Sequence, residues 1–72
     1  HDNYTKLAET QQFERRLIAM IEDRETTLGR LATFSDQQRM QKELAALEGR
    51  LMRCRQALAK IERQIERQEK GF

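Results

Sequence analysis

Ten of the 14 basic residues in this 72-residue chain are arginines. A guanidinium offers a planar fork of N–H donors that fits carboxylate and phosphate oxygens, which a lysine ammonium does not. The chemistry on offer is anion recognition. Net charge is only +2, so the distribution of charge carries more than the total. Arg50, Arg53, Arg55 and Lys60 lie between Gly49 and Ile61 with no acid among them, whereas Glu22, Asp23 and Glu25 cluster elsewhere. A solvated helix surface explains the same charges, and on charge alone both readings stay open. Upstream, Phe13, Arg16, Met20 and Arg24 follow one another at steps of 3, 4 and 4, which places them in one row of a helix. That row combines an aromatic ring, a thioether and two guanidinium groups. Arginine stems lying over a core edge, with their heads in water, account for it equally well.

The residues needed for catalysis are missing from their usual arrangements. The single histidine is His1, in a polar stretch (residues 1–3) expected to fray. No Cys/His cluster has metal-ligand spacing, so no metal or other cofactor is expected. There is no glycine-rich phosphate loop and no G-x-S-x-G. Neighbouring acids such as Glu22 and Asp23 have no apolar surroundings to raise a pKa. Cys54 falls on an apolar seam and reads as a small buried hydrophobe. The expectation is a protein that is not an enzyme.

The elements that must hold the arginines are helices. From Met40 to Ile65 the apolar residues Met40, Leu44, Leu47, Leu51, Cys54, Leu58, Ile61 and Ile65 recur at steps of 4, 3, 4, 3, 4, 3 and 4. An unbroken heptad seam of that length excludes a strand and predicts a long helix with a coiled-coil-like stripe. Leu17, Ile21, Leu28 and Leu31 form a second stripe, with Arg24 in its gap. The chain has no proline and three glycines, which favours uninterrupted helices.

We expect helix 1 over residues 5–31, a turn over 32–35 and helix 2 over 36–69. Ser35 with Gln38 supplies a capping-box pattern at the second start, Asp36 sits in the favourable first turn, and Gly71 can end the helix. So short a connection makes the helices antiparallel neighbours. The fold class is all-α: an antiparallel two-helix hairpin, part of a larger helical bundle. Folding about Phe34 pairs Leu28 with the region of Met40, Ile21 with Leu47, Leu17 with Leu51 and Phe13 with Cys54, and it brings Arg16 to Arg50. Two arginines are pushed together only if water screens them or an anion sits between them. An anion-binding notch with an apolar floor is therefore a physical hypothesis, beside simple screening by water.

Seventy-two residues, 38% of them hydrophobic, make at most one small domain with a thin core. The start at His1 suggests a fragment whose missing part adds to that core. No signal peptide is seen, nor an apolar run of about 18 residues. With a single cysteine, these features favour the cytoplasm, with no membrane partner.

At Phe13-Glu14-Arg15-Arg16-Leu17, and again over Leu51-Met52-Arg53-Cys54-Arg55-Gln56-Ala57-Leu58-Ala59-Lys60-Ile61-Glu62, the sequence resembles the C-terminal region of the PriC family, the bacterial primosomal replication proteins N″. The family pattern of Leu, Arg-Cys-Arg, Ala-Leu and Lys-Ile-Glu recurs without a gap between the two blocks. The resemblance covers residues 6–65. It implies DNA replication restart: recognition of abandoned forks coated with the single-stranded DNA-binding protein SSB, and reloading of the replicative helicase DnaB from its complex with DnaC. It implies binding to the acidic C-terminal tail of SSB, which ends in a phenylalanine carboxylate, and to single-stranded or fork DNA. It also implies a bacterial cytoplasmic, nucleoid-associated protein.

Carried over position by position, the family's SSB-tail site falls on Phe13, Arg16, Arg24 and Arg50, and on Leu47, where the family has a tyrosine. Leu47 keeps the apolar surface and loses the hydroxyl and the ring. Arg53, Arg55 and Lys60, beside Arg50, are candidates for DNA phosphate contacts. Two other readings remain. One is a purely structural helical hairpin or coiled-coil oligomerisation module, its arginines merely solubilising. The other is a small partner-binding chaperone.

Overall fold

The computed structural model describes residues 2–71; the expected fraying of His1 lies outside them. Helix α1 runs Asn3–Leu28 and α2 runs Phe34–Glu69. They pack antiparallel into a rod 57 Å long and 16 by 14 Å across. The described residues contain no strand, and the all-α hairpin read from the sequence is the observed fold.

Helix boundaries differ from the expected 5–31 and 36–69, and local hydrogen bonding explains each shift. Asp2 caps α1: its carboxylate accepts from the Thr5 backbone N–H at 2.7 Å, which also holds that carboxyl below its ordinary pKa. Asn3 is therefore the first helical residue and not part of a frayed end. At the other end, Thr26 and Thr27 turn their hydroxyls back onto the carbonyls of Glu22 and Asp23, both at 3.0 Å. Such back-bonding weakens a helix. The Arg30 and Leu31 N–H groups then bond three residues back, to Thr27 and Leu28, tightening the last turn and closing α1 at Leu28.

Helix α2 starts two residues earlier than the Ser35–Gln38 pattern predicts. Thr33 is the cap, its hydroxyl accepting from the Asp36 N–H at 3.1 Å. Gln37 fixes this choice, donating its side-chain amide to the Leu31 carbonyl at 3.0 Å and so tying α2's first turn to the connection. At the far end Gly71 adopts φ 76°, the left-handed conformation that terminates a helix and that glycine accepts without strain.

Every residue of the α2 seam is buried or half-buried, with Leu44, Leu47, Cys54, Leu58 and Ile65 buried. Leu17 of α1 is fully buried among Leu47, Leu51 and Cys54, with Phe13, Met20 and Ile21 packed around them. The pairing expected from folding about Phe34 holds at this central layer. On α1 the buried row is longer than its apolar residues suggest. It comprises Leu7, Thr10, Glu14, Leu17, Ile21, Arg24 and Leu28, all at least half-buried, and Leu31, also half-buried, follows in the connection. The Glu14 and Arg24 side chains in this row are matched across the hairpin, and Thr10 is met at its backbone. The Thr10 carbonyl accepts from Cys54 Sγ at 3.6 Å, Glu14 accepts from Arg55 Nε at 3.0 Å, and Arg24 Nε donates to Glu43 at 2.9 Å. Polar groups at seam positions favour one register over its neighbours, because a slip leaves them unpaired.

Candidate functional site

The central layer fixes the notch. Leu17, Leu47, Leu51 and Cys54 make the floor, and Phe13 lies half-buried against it. One turn along α1, the Arg16 guanidinium carbon sits 5.7 Å from the centroid of the Phe13 ring; from α2, that of Arg50 sits 5.9 Å from the same centroid. Both distances lie within the range in which a ring's negative face attracts a cation. This attraction offsets part of the repulsion between the two guanidinium groups. Among the described residues neither arginine has a carboxylate within 4.0 Å. Two exposed guanidinium groups, with no carboxylate partner among the described residues, thus flank one half-buried apolar ring.

Arg24, expected in the same site, is in a different electrostatic state. Its Nη1 donates to Asp23 at 2.7 Å and its Nε to Glu43 at 2.9 Å, and the Glu43 bond chiefly raises its pKa. It lies eight residues from Arg16, roughly 12 Å along the helix. Leu47 is buried at 7% exposure, so it contributes floor rather than a rim that a ligand could grip.

The candidate phosphate contacts also separate. Arg53 and Lys60 are exposed on the back of α2, away from the seam. Arg55 is bonded to Glu14 on the flank opposite Arg50. The exposed basic row continues past Lys60 through Arg63 and Arg67 to Lys70, at steps of 3, 4 and 3. Sequence reading had stopped at Lys60, although the same heptad spacing that revealed the seam would have found these three. Lys70 is partly neutralised by Glu66.

A separate concavity lies elsewhere. An open groove of about 530 Å³ on the Arg55 flank is lined by Glu48, Leu51, Met52, Arg55, Gln56 and Ala59. Cys54 is buried, and burial first, then Glu14, pushes its thiol pKa up, the reverse of what a nucleophile requires. Among the described residues no group of three or more His, Cys, Asp or Glu side chains could hold a metal ion, and no helix is long and apolar enough to cross a membrane.

Comparison with known proteins shows the family to which the chain is similar. The family described as primosomal replication protein priC matches residues 1–69. The replication restart protein PriC of Klebsiella pneumoniae is 49% identical over 57 residues, covering 79% of this chain and 32% of the relative. That of Escherichia coli is 44% identical over 62 residues, covering 86% of this chain and 35% of the relative. That of Cronobacter sakazakii is 47% identical over 64 residues, covering 89% and 35%. The chain thus spans about a third of the length of these relatives. No solved structure matches.

Proposed function

This chain belongs to the PriC family of primosomal replication proteins, and we propose that it is the SSB-binding part of a replication restart adaptor. The notch of Phe13, Arg16 and Arg50 takes the C-terminal phenylalanine of the SSB tail. The two guanidinium groups hold its carboxylate through charge-assisted hydrogen bonds, and its side chain rests against the Phe13 ring and the edge of the Leu47–Leu51 floor. Arg24 meets acidic residues further up the tail. The observation that carries this reading is the pair of arginines without carboxylate partners among the described residues, within 6 Å of one half-buried ring. So small and open a contact gives modest, salt-sensitive affinity. In the complete protein the adaptor acts in the bacterial cytoplasm, at nucleoid-associated forks, and promotes reloading of DnaB from DnaC. Its role is recruitment rather than catalysis.

Titration of an SSB C-terminal peptide against the chain, with and without its terminal phenylalanine, tests the proposal. The complete peptide binds and the truncated one does not; equal binding of the two, or none by either, defeats it. The reading as a structural oligomerisation module is favoured by one observation, the half-buried Leu51 and exposed Met52 in the open groove. That reading requires tail binding to be indifferent to Arg16 and Arg50.

Arg53 and Lys60 track the phosphates of single-stranded DNA along the back of α2, continued by Arg63 and Arg67. Arg55 contributes less, because Glu14 already neutralises it. Few aromatic side chains are exposed, so stacking on bases adds little. Binding of a labelled oligonucleotide accordingly falls steeply with salt. Four phosphate contacts give a log–log slope of about −3 on a single strand. A flat response removes the backbone contact.

A further inference from the structure

We propose that Glu43, assisted by Asp23, is a specificity-determining group of the notch: it holds Arg24 and so sets how acidic a peptide must be before its upstream part gains from binding. The inference rests on the reading of the notch as a site for an acidic chain end.

The two ends of the site differ in charge. At Arg16 and Arg50 two guanidinium groups stand without a carboxylate among the described residues, so a terminal carboxylate meets net positive charge. At Arg24 a single guanidinium carries two carboxylates, Asp23 at 2.7 Å and Glu43 at 2.9 Å, which leaves the cluster net negative. The roughly 12 Å between them is spanned by about four residues of extended peptide. An acid about four residues before the chain end therefore arrives at a guanidinium already satisfied through Nε and Nη1, beside two like charges.

That acid gains only by displacing Glu43 or by using the remaining donors against repulsion. A lone acid makes no net gain, whereas a run of acids can compete. Glu43 can give way: its side chain is 48% exposed, and it comes from the other helix, so releasing Arg24 breaks no backbone contact. Asp23 neighbours Arg24 on the same helix and is 66% exposed, which makes it the weaker competitor.

The test compares two peptides against the unmodified chain and against Glu43→Gln. One peptide carries upstream acids and a terminal phenylalanine; the other has the acids replaced by their amides. Glutamine keeps the length, the helix propensity and an acceptor for Arg24 Nε, and loses only the charge. The expected result is a rise of roughly threefold or more in affinity for the acidic peptide, expressed mainly in the association rate. The amide peptide should change little, and the far-UV circular dichroism not at all. Asp23→Asn shifts the same ratio in the same direction by less. If Glu43→Gln leaves the ratio of the two affinities unchanged, the acid is not a competitor. If the ratio falls, Glu43 instead orients Arg24 for the ligand. Either result overturns this inference while leaving the tail site intact. Failure of the unmodified chain to bind the acidic peptide overturns both.

Discussion

Arg50→Ala lowers affinity for the SSB-tail peptide by roughly 10- to 100-fold, the range expected when a hydrogen bond to a charged group, worth about 1.5–3 kcal/mol, is removed. The side chain is exposed, with its guanidinium over the Phe13 ring, so folding is spared. Arg50→Lys recovers part of the loss, because the charge returns without the planar fork. Arg53→Ala, three residues further along the same helix and exposed, is the control and changes tail affinity less than about twofold, as expected for a solvated charge. Calorimetric titration of the three variants, with circular dichroism to show that each is folded, decides the matter. Equal affinities for the Arg50→Ala and Arg53→Ala variants would show that the notch is not the tail's site.

Leu17→Ala has the largest expected effect on stability. Among the described residues Leu17 is the one side chain with no exposed surface, and it lies in the central cluster with Leu47 and Cys54. Truncating a fully buried leucine costs about 2–5 kcal/mol, from lost burial and from the cavity left behind. A hairpin two helices thick has little stability to spare, so the cooperative urea transition followed at 222 nm moves to far lower denaturant or disappears. Since Leu17 also underlies Phe13, tail binding fails with it. Phe34→Ala offers the contrast. That ring is 71% exposed at the start of α2, and its loss stays within about 0.5 kcal/mol. Similar midpoints for the two variants would mean that the Leu17 layer does not organise the fold.

Much of the hairpin was legible because heptad spacing is a local property. The α2 seam from Met40 to Ile65 could be read step by step, and each of its residues is at least half-buried. The short connection then forced antiparallel pairing, and pairing brought Phe13, Arg16 and Arg50 together. Less legible was the α1 row, since Thr10 and Glu14 do not look like core. Glu14 is tolerated there because Arg55 on α2 satisfies its carboxylate, whereas the Cys54 thiol meets Thr10 only at its backbone carbonyl, which any residue would offer. The start of α2 was ambiguous for a different reason. Thr33 and Ser35 are both good caps, and the choice rests on Gln37 reaching back to Leu31.

The identities and spacing of the residues by themselves determined two long amphipathic helices, their antiparallel pairing, and which ring and which arginines share a face. Periodicity states which side of a helix a residue occupies, and that suffices for all three. Only the tertiary structure decided which of those arginines has a carboxylate partner among the described residues. Arg16 and Arg50 are left with a ring, whereas Arg24 is claimed by Glu43 and Arg55 by Glu14, each from the opposite helix. A long side chain sweeps several ångströms, about the rise of a helical turn. Pairing by register alone therefore cannot say which carboxylate reaches which guanidinium, and that assignment separates an anion receptor from a solvated surface.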